Sequence, residues 1–140
     1  MTDTVLAPGL AHSETITIDK SLTVPALAAN FPSLSDMPEV FATPFMVALV
    51  EWTCIEAIRP YLSTGQSSVG AKVTMDHVAA TPIGMKVTAE VELVAVEGRK
   101  LSFQVKCSDE RDLIGSGTHD RFIIDVEKFL GRLQSKAGAA

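Results

Sequence analysis

From Val69 to Phe129 the chain alternates apolar and polar residues almost without interruption, and that period of two commits nearly half of the sequence to β-strands. The runs VGAKVTMDHVAA, MKVTAEVELVAVE, KLSFQVKCSD and IGSGTHDRFIIDVEKF are separated by ATPIG, EGR and DERD. Breaks this short suit hairpins and tight loops, so each strand is expected to lie antiparallel to the next. A fifth alternating run, SETITID at residues 13–19, predicts one more strand near the N-terminus.

Between that first strand and the others lies EVFATPFMVALVEWTCIEAIRPYL, residues 39–62. Thr43-Pro44 matches an N-cap followed by proline in the first helical turn. Pro60 disfavours helical geometry in the residue before it, which predicts a helix from about Pro44 to Arg59. Apolar residues occupy most of its circumference, so the helix is expected to be enclosed on nearly all sides. The preceding segment, KSLTVPALAANFPSLSDMPEVFA, carries Pro25, Pro32 and Pro38 too closely for a long regular element. It reads as an irregular loop with a helical turn, lying over something.

One strand, one long helix and four further strands predict an α+β hot-dog fold, in which a curved antiparallel sheet wraps a central helix. The 140 residues, 46% of them hydrophobic, are one domain's worth of chain, with residues 1–12 and 132–140 expected to be flexible tails. A single sheet with one helix leaves apolar surface uncovered, which favours a homodimer. The net charge of -5 includes no basic run, which argues against nucleic acid or an anionic membrane as a partner. Neither a signal peptide nor a membrane span is visible, so the expected location is the cytoplasm. Cys54 and Cys107 lack metal or disulfide spacing and read as packing thiols; neither a metal nor a cofactor is expected.

Against this apolar background a few residues ask for an explanation. Glu51 sits among Val47, Leu49, Val50, Trp52 and Cys54, where a carboxylate must face solvent, find a partner or line a wet cleft. In a cleft it could act as general base or nucleophile. Thr43, eight residues earlier on the same helix, lies about 12 Å away and is turned by about 80°. The two cannot hydrogen-bond directly, so a site using both needs substrate to bridge it or a second protomer to complete it. His77 alternates with Val73 and Met75, which predicts an inward or cleft orientation, although a structural histidine would fit the pattern too. Gly70 reads equally as a bulge and as a place of close approach. His119, in GSGTHDR, is the competing histidine; Gly115 and Gly117 before it signal sheet bending or close packing rather than a phosphate cradle.

Taken together, EVFATPFMVALVEWTCIEAIRPYL, SVGAKVTMDHVAATPIGMKVTAEVELVAVEGRKLSF and IGSGTHDRFIIDVEKF resemble the fluoroacetyl-CoA thioesterase type of hot-dog proteins over roughly residues 12–130. The resemblance implies hydrolysis of a short acyl-CoA by a homodimer whose active site lies near the dimer interface. It places Thr43, Glu51 and His77 at the catalytic threonine, glutamate and histidine, Gly70 at a glycine near the thioester, and Arg121 at an arginine of the closing strand. Phenylalanines over the acyl pocket of the fluoroacetyl-selective type correspond here to Leu34 and Met37, which predicts a more accommodating lid. A non-catalytic acyl-CoA-binding module and an enoyl-CoA hydratase remain alternatives. Arg59, Lys72, Arg99 and Lys100 are candidate contacts for CoA phosphates or else solvated charges.

Overall fold

A computed structural model describes residues 5–138. The strands are β1 (Ala11–Thr17), β2 (Gln66–Met75), β3 (Lys86–Glu97), β4 (Lys100–Ser108) and β5 (Leu113–Asp125), and the helices are α1 (Thr43–Ile58) and α2 (Val126–Ala137). All five strands form one antiparallel sheet in the order β1-β3-β4-β5-β2. α1 lies against its inner face, and the alternation of β3 and β4 delivers Val87, Ala89, Val91, Leu93, Leu101, Phe103, Val105 and Cys107 to the core.

The pairing order corrects one expectation. β3–β4 and β4–β5 are neighbours in sequence and in space, the former turning at Gly98 with φ +62°. β2, however, pairs with β5 rather than with β3, so ATPIG belongs to a crossing connection and not to a hairpin. β2 thereby becomes an edge strand, with no strand on its other side among the described residues.

α1 begins at Thr43, one residue earlier than expected, with Ala42 as its N-cap and no capping side chain. The proposed cap is thus corrected: the Thr43 hydroxyl is used elsewhere. The expected enclosure is corrected as well. Met46, Leu49, Val50, Thr53, Cys54, Ala57 and Ile58 are buried at the i, i+3, i+4 spacing of a single stripe. The opposite flank, with Ala48 and Trp52, is open, and Trp52 is 42% exposed; Thr43 is exposed at the start of the helix.

Both expected tails shorten. Leu6 and Leu10 pack on the core, Leu10 O accepts from Leu93 N–H and Gly9 N–H donates to Leu93 O, while residues 1–4 lie outside the described residues. At the other end α2 covers residues 126–137 of what was read first as strand and then as tail. The loop before α1 contains three short 3-10 turns, Lys20–Leu22, Val24–Leu27 and Pro32–Asp36. Its two ends are stitched together by Val24 N–H to Val40 O and Ala42 N–H to Leu22 O, and Phe41 N–H donates to Thr81 O. That closed loop delivers the chain to the start of α1.

Candidate functional site

Thr43 is the first residue of α1, and its Oγ1 lies 2.7 Å from His77 Nδ1. His77 follows the end of β2, where Asp76 N–H donates to Ser116 O and Val78 N–H to Ile114 O, so this stretch continues the pairing with β5. The glycines of GSG explain how the chain comes so close. A Cβ at Gly115 would strike the Asp76 carbonyl and one at Gly117 the Thr74 carbonyl, in keeping with the close-packing reading. The Asp76 carboxylate accepts from Ser116 N–H. Phe41 meets the His77 ring edge-on at 6.5 Å. His77 Nε2 is buried and has no hydrogen-bond partner among the described residues.

A second polar group is built where the middle of α1 faces β5 and β2. Arg121 Nη1 donates to Glu51 Oε1 at 3.1 Å, and it lies 3.2 Å from His119 Nε2. Arg121 Nε donates to Ser68 Oγ at 2.8 Å and Nη2 to Ser68 O at 3.0 Å. His119 Nδ1 lies 2.7 Å from Lys72 O. His119 and Arg121 are 2% and 3% exposed. Both readings of Gly70 hold at once. The β2–β5 register slips between Gly70 and Lys72, which is a bulge, and a Cβ on Gly70 would lie 2.6 Å from Glu51 Oε1.

Burial pushes the His119 imidazole below its ordinary pKa, and the Arg121 charge pushes the same way against the Lys72 carbonyl bond. Burial lifts the Cys54 thiol to about 12 despite the nearby Arg121, and lifts Cys107 equally to about 12. Both thiols are therefore protonated packing groups at neutral pH.

Among the described residues no hydrogen bond joins the Thr43–His77 pair to the Glu51–Arg121–His119 group. That matches the helical separation of Thr43 and Glu51. Leu34 is half-buried and Met37 is 45% exposed at the third 3-10 turn, six residues and more ahead of Thr43. Of the candidate phosphate contacts, Arg59, Arg99 and Lys100 lie beside the carboxylates of Glu56, Asp125 and Asp120. Lys72 contributes its carbonyl to His119. Ser68 and the linking role of His119 were missed from the sequence. Both share the inward parity of their neighbours, Ser68 with Gly70 and His119 with Arg121, and two polar side chains at i and i+2 on an inward face were the available signal.

The sequence profile described as fluoroacetyl-CoA-specific thioesterase, FlK, matches residues 23–127, a span that holds both polar groups. The chain belongs to the fluoroacetyl-CoA-specific thioesterase family. Within this family it is 48% identical over 117 residues to a fluoroacetyl-CoA thioesterase from Streptantibioticus cattleyicolor, covering 84% of each chain. A crystal structure of a variant of the fluoroacetyl-CoA thioesterase FlK in complex with acetyl-CoA superposes with a TM-score of 0.91 at 42% identity, over 94% of this chain and 98% of that one. A hot-dog-like protein from Thermanaerovibrio acidaminovorans shares the fold, with a TM-score of 0.80 at 19% identity over 92% and 91% of the two chains. The fold of this family member is thus the expected hot-dog. Among the described residues no helix is long and apolar enough to cross a membrane.

Proposed function

We propose that this protein is a cytoplasmic, homodimeric thioesterase, a single domain that converts a short-chain acyl-CoA and water to the carboxylic acid and free CoA. In a chain of this family, the observation that carries the reading is the 2.7 Å contact between the Thr43 hydroxyl and His77 Nδ1 at an open helix end. A histidine held against a hydroxyl is poised to take its proton, or that of a water held there, as the thioester carbonyl is attacked. His77 then returns a proton to the departing CoA thiolate. Glu51, paired with Arg121, can act in one of two ways. As base it takes the proton of the attacking water while His77 protonates the thiolate. As nucleophile it displaces the CoA thiolate to give an acyl-enzyme that water deprotonated by His77 then hydrolyses, freeing the acid and the carboxylate. A backbone N–H near Gly70 polarises the carbonyl oxygen as in an oxyanion hole.

The dimer is supported by what one chain leaves uncovered. The open flank of α1 presents Trp52, the adjacent free edge strand presents Val73 at 40% exposure, and both polar groups border this strip. Leu34 and Met37 form the aliphatic part of the acyl lid, which favours acetyl-sized groups without strong selection for fluorine.

Release of free thiol from acetyl-, fluoroacetyl- and longer acyl-CoAs tests the reading. Hydrolysis of the short substrates is expected, with Thr43→Ala and His77→Ala slowed by about 100-fold or more in folded protein. Tight CoA-ester binding without thiol release would identify a binding module instead. Hydration of an enoyl-CoA with the thioester intact would identify a hydratase.

A further inference from the structure

The Arg121 guanidinium is almost fully committed within the chain. It carries five N–H donors, and four of them have acceptors: Ser68 Oγ, Ser68 O, Glu51 Oε1 and His119 Nε2. The two bonds to Ser68 fix the plane of the fork. The two on Nη1 fix where its outer edge points, one toward Glu51 and one toward His119.

The chemistry of the partners then determines the protonation state of His119. Lys72 O can only accept, so the 2.7 Å contact requires hydrogen on Nδ1. Arg121 Nη1 can only donate, so the 3.2 Å contact requires a lone pair on Nε2. The ring is therefore neutral and a single tautomer. Its burial, which pushes the imidazole below its ordinary pKa, favours the same state. The Lys72 carbonyl sits at the end of the β2 bulge, and a Cβ on Gly70 would lie 3.3 Å from His119 Cε1, so the ring packs directly on that bulge.

We propose that His119 is a positioning residue, its neutral Nδ1-protonated ring linking the bulge of the free edge strand to Arg121 and, through Arg121, setting the direction of the Glu51 carboxylate. The role rests on the thioesterase reading above. His119 touches neither Glu51 nor, in that reading, the reacting atoms. It removes the freedom of Arg121 to turn toward another acceptor, and a small displacement of an oriented group costs rate rather than fold.

Two substitutions separate this from simple packing. His119→Asn places its amide near the Nδ1 position, keeping a donor for Lys72 O and leaving Arg121 without its acceptor. His119→Gln places its amide carbonyl near Nε2 and restores that acceptor. With a short acyl-CoA that the wild-type protein hydrolyses, kcat for His119→Asn is expected to fall by about 10- to 100-fold with KM within about twofold. His119→Gln is expected to recover most of that loss. Equal losses in the two variants, no loss in either, or a change confined to KM would overturn the proposal. Independently of turnover, long-range proton–nitrogen NMR on the wild-type protein should show a neutral His119 ring with hydrogen on Nδ1 at neutral pH. Hydrogen on Nε2 instead, or a protonated ring, would overturn it as well. A wild-type protein that releases no thiol from any acyl-CoA defeats the thioesterase reading first, and the catalytic role of His119 falls with it.

Discussion

The space beside Glu51 is created by the absence of a side chain at residue 70. A Cβ there would come within 2.6 Å of Glu51 Oε1 and 3.3 Å of Arg121 Nη1, closer than an unforced contact allows. Glu51 is the end of a flexible side chain, so it yields before the backbone does. Gly70→Ala is therefore expected to swing the carboxylate away while leaving the sheet intact. Its kcat should fall by about tenfold or more, with a loss of stability of no more than about 1–3 kcal/mol, read by steady-state kinetics beside thermal unfolding. A variant with normal kcat would show that Glu51 can leave its ion pair without consequence. The anomaly of a carboxylate among Val50, Trp52 and Cys54 was legible because burying charge without a partner is costly. Its partner, Arg121, is 70 residues away, and no local pattern could supply the distance. The reverse happened at Thr43: the local pattern fitted an N-cap, and a hydrogen-bond partner 34 residues away, His77, won.

At the scale of elements, period two located the strands from β2 to β5 well because half-buried strands must alternate. It carried no information on which edges meet, since alternation is a property of one strand and pairing a property of two. That is why β2 was expected beside β3 and lies beside β5. The closing helix was hidden for a related reason: IIDVEKF continues the apolar rhythm of β5, and the switch of period starts inside it. Val126, Phe129, Leu130 and Leu133 then follow the i, i+3, i+4, i+7 spacing of a helix face. Gly131 interrupts that helix, and a Cβ placed on it would meet nothing within 4 Å. Gly131→Ala is expected to stabilise α2 by about 0.5–1 kcal/mol, by removing backbone freedom from the unfolded segment. Amide exchange should slow by about two- to fivefold across residues 126–137 and remain unchanged in β3 and β4. Faster exchange would mean that the glycine serves a contact that this chain alone does not contain.

For the whole molecule, the central issue is the gap between the two polar groups. One helix carries both Thr43 and Glu51, yet eight residues of α-helix keep them about 12 Å apart and on different faces. Ala48 and Trp52 on the open flank of α1 and Val73 on the edge strand β2 are exposed in the described residues. We propose that the dimer's two-fold axis runs along this strip; the Thr43–His77 pair of one protomer would then stand opposite the Glu51–Arg121 pair of its partner, giving two equivalent composite sites. This arrangement has a consequence that a site within one protomer lacks. Thr43→Ala and Glu51→Gln are each expected to be folded and nearly inactive. Mixed and allowed to exchange protomers, they form heterodimers in which one site has lost both residues and the other has lost neither. Random exchange makes about half the dimers mixed, each with one intact site of two, so thiol release should return to about a quarter of the wild-type rate. If the site were complete within each protomer, every site in the mixture would still lack one residue and the rate would stay at the level of the single variants. Measuring thiol release before and after exchange, with native mass spectrometry to count the mixed dimers, decides between the two.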